Sequence, residues 1–383
     1  MERSNKMKEK IIDCVKETPG ITAKEIGKLL GVTRKKINQQ IQHFDCLHKD
    51  NNTFGWHYQG EYPIVAIELP SKWISSYAFE KTLNTSKYSE IGSEDITVKF
   101  AKDSKLMMDA IARFICLVNQ VALAGRKVTI DMTLSKDSLS YLNRAGFYKV
   151  LHPDVVILPK RPEVDLSIKY EGNTNRLVEF KKLLPDFKDD SIPEALFKSL
   201  NNWLVSKASV EKGFDPIFTF IAEIFNNVYD HVFDLEQTEL HGLAACQTYS
   251  RNENTILTQI VISDCGQGIA NTLRPALIKN DQPDKLTKLT DIKLIQKALT
   301  VGKLTRHDPE TDPDHGLGLY IGAMKAKMLG AKITIRQENF SIRFAWKDEK
   351  LKLERQYDDL KSIPGTNICF DFSIEQSKLI CLN

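Results

Sequence analysis

The stretch Ile260-Val-Ile-Ser-Asp264-Cys-Gly266-Gln-Gly268 decides how the second half of this chain is interpreted. Its apolar beginning predicts a buried strand that ends at Asp264. Two glycines follow, and glycine permits positive φ and lets a ligand approach the backbone closely. A carboxylate at such a strand end can accept a hydrogen bond from an exocyclic amine such as that of adenine. The alternative is an ordinary turn, because Asp and glycines after a strand are also typical turn residues.

A second block lies upstream, at Glu223-Ile-Phe-Asn-Asn227-Val-Tyr-Asp-His231. Apolar residues recur here at helical spacing, which predicts a helix. Glu223, Asn227 and His231 are four residues apart and therefore share one face of that helix. An amide oxygen is a suitable Mg2+ ligand, and a carboxylate can orient or deprotonate the group that attacks a phosphoryl group. The alternative is a solvated polar face on an amphipathic helix.

A third block, His-Gly-Leu-Gly-Leu at residues 315–319, precedes an apolar run that predicts a helix. Glycines at a helix N-terminus form a site for anions, because free backbone N–H groups and the helix dipole favour phosphate. A plain helix start is the alternative.

In order and spacing, the three blocks resemble the GHKL ATPase superfamily, which includes gyrase, Hsp90, histidine kinases and MutL. Glu223 and Asn227 match its N box, residues 264–268 its G1 box and residues 316–319 its G2 box. The pair Gly365-Thr366, followed by a strand-like run, matches the Gly-Thr segment near the end of that domain. The resemblance covers about residues 190–375.

The resemblance implies ATP and Mg2+ as cofactors and gives the matched residues their roles. Glu223 is implied as the general base or water-orienting residue, Asn227 as the Mg2+ ligand and Asp264 as the residue that reads adenine. The other implied ATP-binding residues are Gly266, Gly268, Gly316, Leu317, Gly318 and Thr366. The pattern Glu-x-x-x-Asn-x-x-x-His is especially similar to that of the anti-sigma-factor serine kinases. His231 is carried over only as a residue at the pocket edge, with a packed histidine as the alternative.

Residues 274–314 separate the G1 and G2 boxes and are rich in Lys, Asp and Thr. The resemblance makes this segment the ATP lid, and its composition suits a mobile loop with one helix at 289–299. Lys303 or Arg306 could reach the γ-phosphate when the lid closes. The alternative is that both side chains are merely solvated.

The first 60 residues are basic, with 11 Lys and Arg against 7 Asp and Glu. Residues 22–25 form a capping box that starts a helix, a glycine-containing turn follows at 31–33, and residues 34–44 predict another helix. With a wing strand at 54–58, this order resembles winged helix-turn-helix domains, including the Z-nucleic-acid-binding type. The alternative is a winged helix used for protein contact or dimerisation. Nucleic-acid contacts are expected from Arg34, Lys35, Lys36, Asn38, Gln39 and Trp56.

The middle of the chain, residues 61–165, predicts a small α/β layer in which strands alternate with helices. Residues 128–147 resemble STAS-like domains, which regulate anti-sigma kinases, although the usual Asp-Ser-Ser-Gly phosphoacceptor is absent. Residues 165–215 are expected to join the two halves, and the charged run 347–361 to be a solvated loop or helix. Strands are expected at 64–69, 96–100, 127–131 and 155–158, and helices at 104–124 and 138–150.

Composition limits the remaining possibilities. A length of 383 residues predicts two or three domains. No apolar run reaches membrane-spanning length and the N-terminus lacks a signal-peptide pattern, so a cytoplasmic protein without a membrane partner is expected. The seven cysteines are scattered without a Cys-x-x-Cys pair, which indicates neither a disulfide framework nor a zinc site.

The expected fold class is an α+β multidomain protein. It comprises a winged helix at 1–60, a STAS-like α/β module at 61–165 and a GHKL α/β sandwich at 166–383, with the lid at about 274–314. The expected function is an ATP- and Mg2+-dependent switch that hydrolyses ATP and acts on nucleic acid through residues 1–60, in bacterial regulation or anti-phage defence. A regulatory protein and a second copy of the chain are further expected partners. Two alternatives stay open: a protein serine/threonine kinase of the anti-sigma type, and a non-catalytic, ATP-sensing DNA-binding scaffold.

Overall fold

A computed structural model describes most of the chain. The chain divides into two compact units, Met1–Ile64 and Val65–Asn383, and is a mixed α/β protein with several sheets. Within the described ranges, no helix is both long and apolar enough to cross a membrane. The described residues are 2–41, 44, 46–50, 53–58, 62–171, 176–183, 194–196, 242–252, 255–279, 288–301, 318–328 and 330–375.

The first unit packs three helices against a small antiparallel sheet of strand order β1-β3-β2. The predicted capping box is confirmed, because Thr22 N donates to Glu25 Oε2 at 2.8 Å and Glu25 N donates to Thr22 Oγ1 at 3.4 Å. Fully buried aliphatic side chains from all three helices form its core, among them Ile11, Ile26 and Ile37. The elements are α1 (Glu2–Glu17), β1 (Ile21–Thr22), α2 (Ala23–Leu30), α3 (Arg34–Ile41), β2 (Leu47–Lys49) and β3 (Gly55–Tyr58).

The second unit begins with alternating strands and helices. A four-stranded sheet has the order β4-β6-β8-β9, with β6, β8 and β9 parallel, and β5 pairs with β7 in parallel. The elements are β4 (Ile64–Leu69), β5 (Lys72–Ile74), α4 (Ser76–Thr85), β6 (Asp95–Phe100), β7 (Ser104–Leu106), α5 (Met108–Leu123), β8 (Val128–Asp131), α6 (Lys136–Arg144), α7 (Phe147–Val150), β9 (Val156–Leu158) and α8 (Leu166–Lys169).

Two helices predicted in this region have different boundaries. The predicted helix 104–124 begins as strand β7, and the helix itself starts at Met108. The predicted helix 138–150 is interrupted at Gly146, which has φ +79° and separates α6 from α7. A Cβ at this position would lie 3.1 Å from the Phe180 carbonyl oxygen, so the chain bends where it passes close to β10.

A seven-stranded antiparallel sheet dominates the remainder, in the order β10-β11-β12-β16-β13-β14-β15. The elements are β10 (Leu177–Leu183), β11 (Gly242–Asn252), β12 (Thr255–Asp264), α9 (Ile269–Lys279), α10 (Asp291–Thr300), α11 (Gly318–Met328), β13 (Lys332–Glu338), β14 (Phe340–Lys347), β15 (Lys350–Tyr357) and β16 (Ile363–Glu375).

Three predictions for this part need correction. The first strand, β10, lies within the segment expected to be a connector, and β15 replaces the expected solvated loop or helix. Both are edge strands. The sequence of β15 was not recognised as a strand because charged side chains, which suit an exposed edge, replace the apolar residues expected of a strand. Residues 274–279, assigned to the lid, belong to helix α9, whereas the predicted lid helix is present as α10.

The large sheet is covered on both faces. Ile260 and Ile262 pack in one core with α9, α10 and α11, whereas Val261 packs in a second core with α5. This alternation follows the period of two along a strand. The described part of residues 65–165 therefore shares a hydrophobic core with the sheet, and α5 lies against the strand that ends at Asp264.

Candidate nucleotide-binding site

Asp264 is the last residue of β12, and the antiparallel register pairs it with Thr366 of β16. Strand pairing therefore brings together two segments that lie about a hundred positions apart in the sequence, the Asp-x-Gly-x-Gly turn and the Gly-Thr pair. Both were predicted as parts of one site, and the structure places them in contact at the end of the sheet.

The carboxylate of Asp264 is held by hydrogen bonds from both segments. The backbone N–H of Gly266 donates to Asp264 Oδ1 at 2.7 Å, and Thr366 contributes hydrogen bonds from its backbone and its hydroxyl. Burial raises the pKa of Asp264 to about 6, and the three hydrogen bonds oppose that rise. The result is an oriented carboxylate that is ionised at neutral pH, so both of its oxygens are acceptors for an amine donor.

One glycine in each segment has a positive φ and no room for a side chain. Gly365 has φ +99°, and a Cβ there would lie 2.1 Å from the Asp264 carbonyl oxygen. Gly268 has φ +82°, and its Cβ would lie 2.7 Å from Cδ of Gln337. Glycine adopts this conformation at little steric cost, so Gly365 lets the two strand ends pack together and Gly268 leaves room for the Gln337 side chain.

Helix α5 packs on the face of the sheet opposite α9, α10 and α11, and its Gln120, which was not among the predicted site residues, contacts both segments of the site. Gln120 Nε2 donates to the Pro364 carbonyl oxygen at 3.1 Å and lies 3.6 Å from Cys265 Sγ. Two effects raise the pKa of the Cys265 thiol: the larger is its side-chain hydrogen bond with Cys116, and the second is burial. The thiol is therefore neutral at physiological pH. The available signal was one of four polar side chains in a largely apolar helix, and this one is 6 % exposed.

The described residues contain only part of the predicted site. Asp264, Gly266, Gly268 and Thr366 lie together, and Gly318 is the first residue of α11. In this part of the chain no group of three or more His, Cys, Asp and Glu side chains could hold a metal ion. The predicted residues outside the described ranges are Glu223, Asn227, His231, Lys303, Arg306, Gly316 and Leu317.

The predicted nucleic-acid contacts separate into two groups. Arg34, Lys35, Lys36 and Gln39 are exposed on α3, and Asn38 is half-buried. Trp56, by contrast, is 6 % exposed and contributes to the core of the first unit, which leaves it little surface for a ligand. The exposed face of α3 is therefore the stronger candidate for phosphate contact.

No protein family matches the sequence, and no curated protein matches it. The residues and their geometry are therefore the basis for the function proposed below.

For the adenine-reading role that the sequence predicts for Asp264, its pKa predicts how ATP affinity would depend on pH. The ionised carboxylate accepts a stronger hydrogen bond from the adenine amine than the protonated acid does, so affinity is expected to be constant above pH 7 and to fall as the pH drops through about 6. Calorimetric titrations between pH 5 and 8 measure this. Phosphates also take up a proton near pH 6, so inorganic pyrophosphate serves as the control without an amine. Parallel pH profiles for ATP and pyrophosphate would contradict the role of Asp264.

Proposed function

We propose that this protein is an ATP- and Mg2+-dependent conformational switch of the GHKL type, which hydrolyses ATP and acts on nucleic acid. The observation that carries the proposal is the pairing of Asp264 with Thr366 at the end of two central strands. That pairing positions a carboxylate acceptor between a glycine turn and a glycine-threonine pair, where two central strands of the sheet end beside helices α9, α10 and α11.

In this proposal each part of the site has a separate task. Asp264 accepts a hydrogen bond from the adenine amine, and the glycines let the ring approach the backbone. Gly316, Leu317 and Gly318 hold the phosphates at the start of α11, where backbone N–H groups and the helix dipole favour anions. Glu223 orients the attacking water, and Asn227 would bind the Mg2+ that neutralises charge on the phosphates.

The lid of the proposed switch is the segment between α9 and α11. Its one described helix, α10, is tied to α9 by the ion pair of Arg274 with Asp291, 2.5 Å between Nη2 and Oδ1. Arg274 also donates to the Leu289 carbonyl oxygen at 2.8 Å. These contacts support a lid that is anchored at its N-terminal end, with Lys303 and Arg306 available for the γ-phosphate when it closes.

The finer domain assignments also belong to this proposal. Three helices and a three-stranded antiparallel sheet, with a basic exposed face on α3, support a winged helix that binds nucleic-acid phosphates in the first unit. The parallel strands and helices of residues 65–165 support a STAS-like module that receives a protein partner or transmits the state of the ATPase. Its packing on the large sheet gives a physical route for that transmission.

Turnover by variants tests the catalytic part. We expect wild type to release phosphate from ATP with Mg2+, and Glu223→Ala to bind ATP but lose at least about a hundredfold in rate, because the water is no longer oriented. Glu338→Ala is the matched control, since Glu338 is a carboxylate on β13 outside the proposed catalytic group. Assays with and without duplex DNA report coupling to the first unit. Equal rates for Glu223→Ala and wild type would contradict the proposal.

One second candidate has a specific observation in its favour. The spacing of Glu223, Asn227 and His231 is that of anti-sigma serine kinases, in which the carboxylate would act on a protein hydroxyl. Labelled ATP separates the two: phosphate transferred to a protein supports the kinase, and free phosphate supports the ATPase. If Glu223→Ala retains its cellular effect while Asp264→Ala loses it, the protein is instead a non-catalytic ATP sensor.

A further inference from the structure

A cavity of about 440 Å³ lies between α4 and the β13–β15 edge of the large sheet. None of its lining residues belongs to the candidate nucleotide-binding site. Its walls carry four basic side chains against two acidic ones, which gives the lining a net positive charge. The basic residues are Lys81, Arg113, Arg343 and Arg355, and the acidic residues are Glu80 and Asp358.

Strand register concentrates this charge at one place. Arg343 of β14 lies directly opposite Arg355 of β15, and directly opposite like charges destabilise a sheet. Arg343 is compensated, because Nη2 lies 2.7 Å from Asp371 Oδ2 and Nε lies 3.3 Å from Glu354 Oε2. The side chains of Arg355 and Lys81 have neither a hydrogen bond nor an ion pair with any described residue. Two exposed cations therefore line this cavity without an ion-pair partner among the described residues.

The buried wall of the cavity has both a donor and an acceptor. Arg113 and Glu80 are each 3 % exposed, and Arg113 Nη1 donates to Glu80 Oε1 at 2.8 Å. Glu80 Oε2 is buried and has no hydrogen-bond partner within the described ranges. A buried carboxylate oxygen without a donor is costly, and a ligand hydroxyl would supply one.

We propose that this cavity is a second ligand site, for a small phosphate ester that also carries hydroxyl groups. Arg355 and Lys81 hold the phosphate at the open side, where Arg355 gains the ion-pair partner that Arg343 already has in Asp371 and Glu354. Glu80 Oε2 accepts a hydrogen bond from a hydroxyl of the ligand at the buried side. The volume suits a molecule of the size of a sugar phosphate or a mononucleotide.

Calorimetry on the full chain tests this with ribose 5-phosphate, inorganic phosphate and unphosphorylated ribose as probes. We expect saturable binding of ribose 5-phosphate, weaker binding of inorganic phosphate and none of ribose. Arg355→Gln and Lys81→Gln should each weaken ribose 5-phosphate binding about tenfold or more, because each removes a charge-assisted hydrogen bond. Lys350→Gln is the control, since Lys350 is an exposed cation on the same strand that does not line the cavity.

The experiment separates this site from the nucleotide site. Ribose 5-phosphate binding should persist unchanged in Asp264→Asn, and circular dichroism should show that the surface variants fold like wild type. Absence of saturable binding overturns the proposal, as does equal weakening by Lys350→Gln and Arg355→Gln. Equal affinity for inorganic phosphate and ribose 5-phosphate would overturn the role of Glu80 as a hydroxyl acceptor.

Discussion

Glu80→Ala is expected to lower the free energy of unfolding by about 3–5 kcal/mol, because it leaves two buried cations without their shared counter-charge. Glu80 Oε1 lies 2.8 Å from Arg113 Nη1 and 3.1 Å from Arg336 Nε, and no side chain of the three is more than 4 % exposed. Burial lowers the pKa of Arg336, and the charge of Glu80 opposes that shift. Without Glu80, the buried guanidinium of Arg336 would have no carboxylate among the described residues to balance its charge.

Urea denaturation followed by tryptophan fluorescence measures this loss. The matched control is Glu68→Ala, since Glu68 forms an exposed pair with Lys99 at 3.9 Å, and exposed pairs contribute little. If the two variants lose the same stability, the buried cluster does not hold α4 and α5 on the sheet. The cluster also binds the turn before β16, because Arg336 donates to the carbonyl oxygens of Ile363 and Lys361 at 2.6 and 2.5 Å.

Gly365→Ala is expected to abolish ATP binding and to destabilise the fold. The new Cβ would lie 2.1 Å from the Asp264 carbonyl oxygen and 2.7 Å from Cys265 Cα. Both are backbone atoms, so no flexible side chain can move aside and the ends of β12 and β16 must separate. That separation breaks the hydrogen bonds by which Thr366 orients the Asp264 carboxylate.

Gly330→Ala is the control for backbone strain alone. Gly330 has φ +69°, but nothing lies within 4 Å of a Cβ at that position. Its alanine variant should lose about 1–2 kcal/mol of stability and still bind ATP. Calorimetry and thermal unfolding of the two variants measure both effects. Unchanged ATP affinity in Gly365→Ala would show that the contact between the two strand ends does not shape the site.

Local patterns predicted the local features well. The apolar run before Asp264 predicted the strand that ends there, and Thr22 and Glu25 predicted a capping box whose two hydrogen bonds are present. Both signals depend on residues within a few positions of one another. The edge strand β15 was not predicted, because charged side chains are as common in solvated loops as in exposed edge strands.

Long-range partners could not be predicted from such patterns. Glu80, Arg113 and Arg336 form one cluster, yet Arg336 is 256 positions from Glu80, and each looks like an ordinary surface charge in the sequence. The proximity of Asp264 and Thr366 was implied only by the family resemblance. Gln120 could have been noticed as one of four polar residues in a largely apolar helix, but its partner, the Pro364 carbonyl oxygen, follows only from the packing of α5 on the sheet.

The most direct test is ATP binding by wild type and Asp264→Asn, measured by calorimetry with Mg2+ at pH 7.5. We predict saturable binding by wild type, weaker binding of GTP, which presents an acceptor where adenine has its amine, and loss of ATP binding by Asp264→Asn. The variant should remain folded, because the raised pKa of Asp264 means that its ionised carboxylate already destabilises the fold above pH 6. Absence of ATP binding by wild type, or equal affinity in the variant, would contradict the nucleotide site.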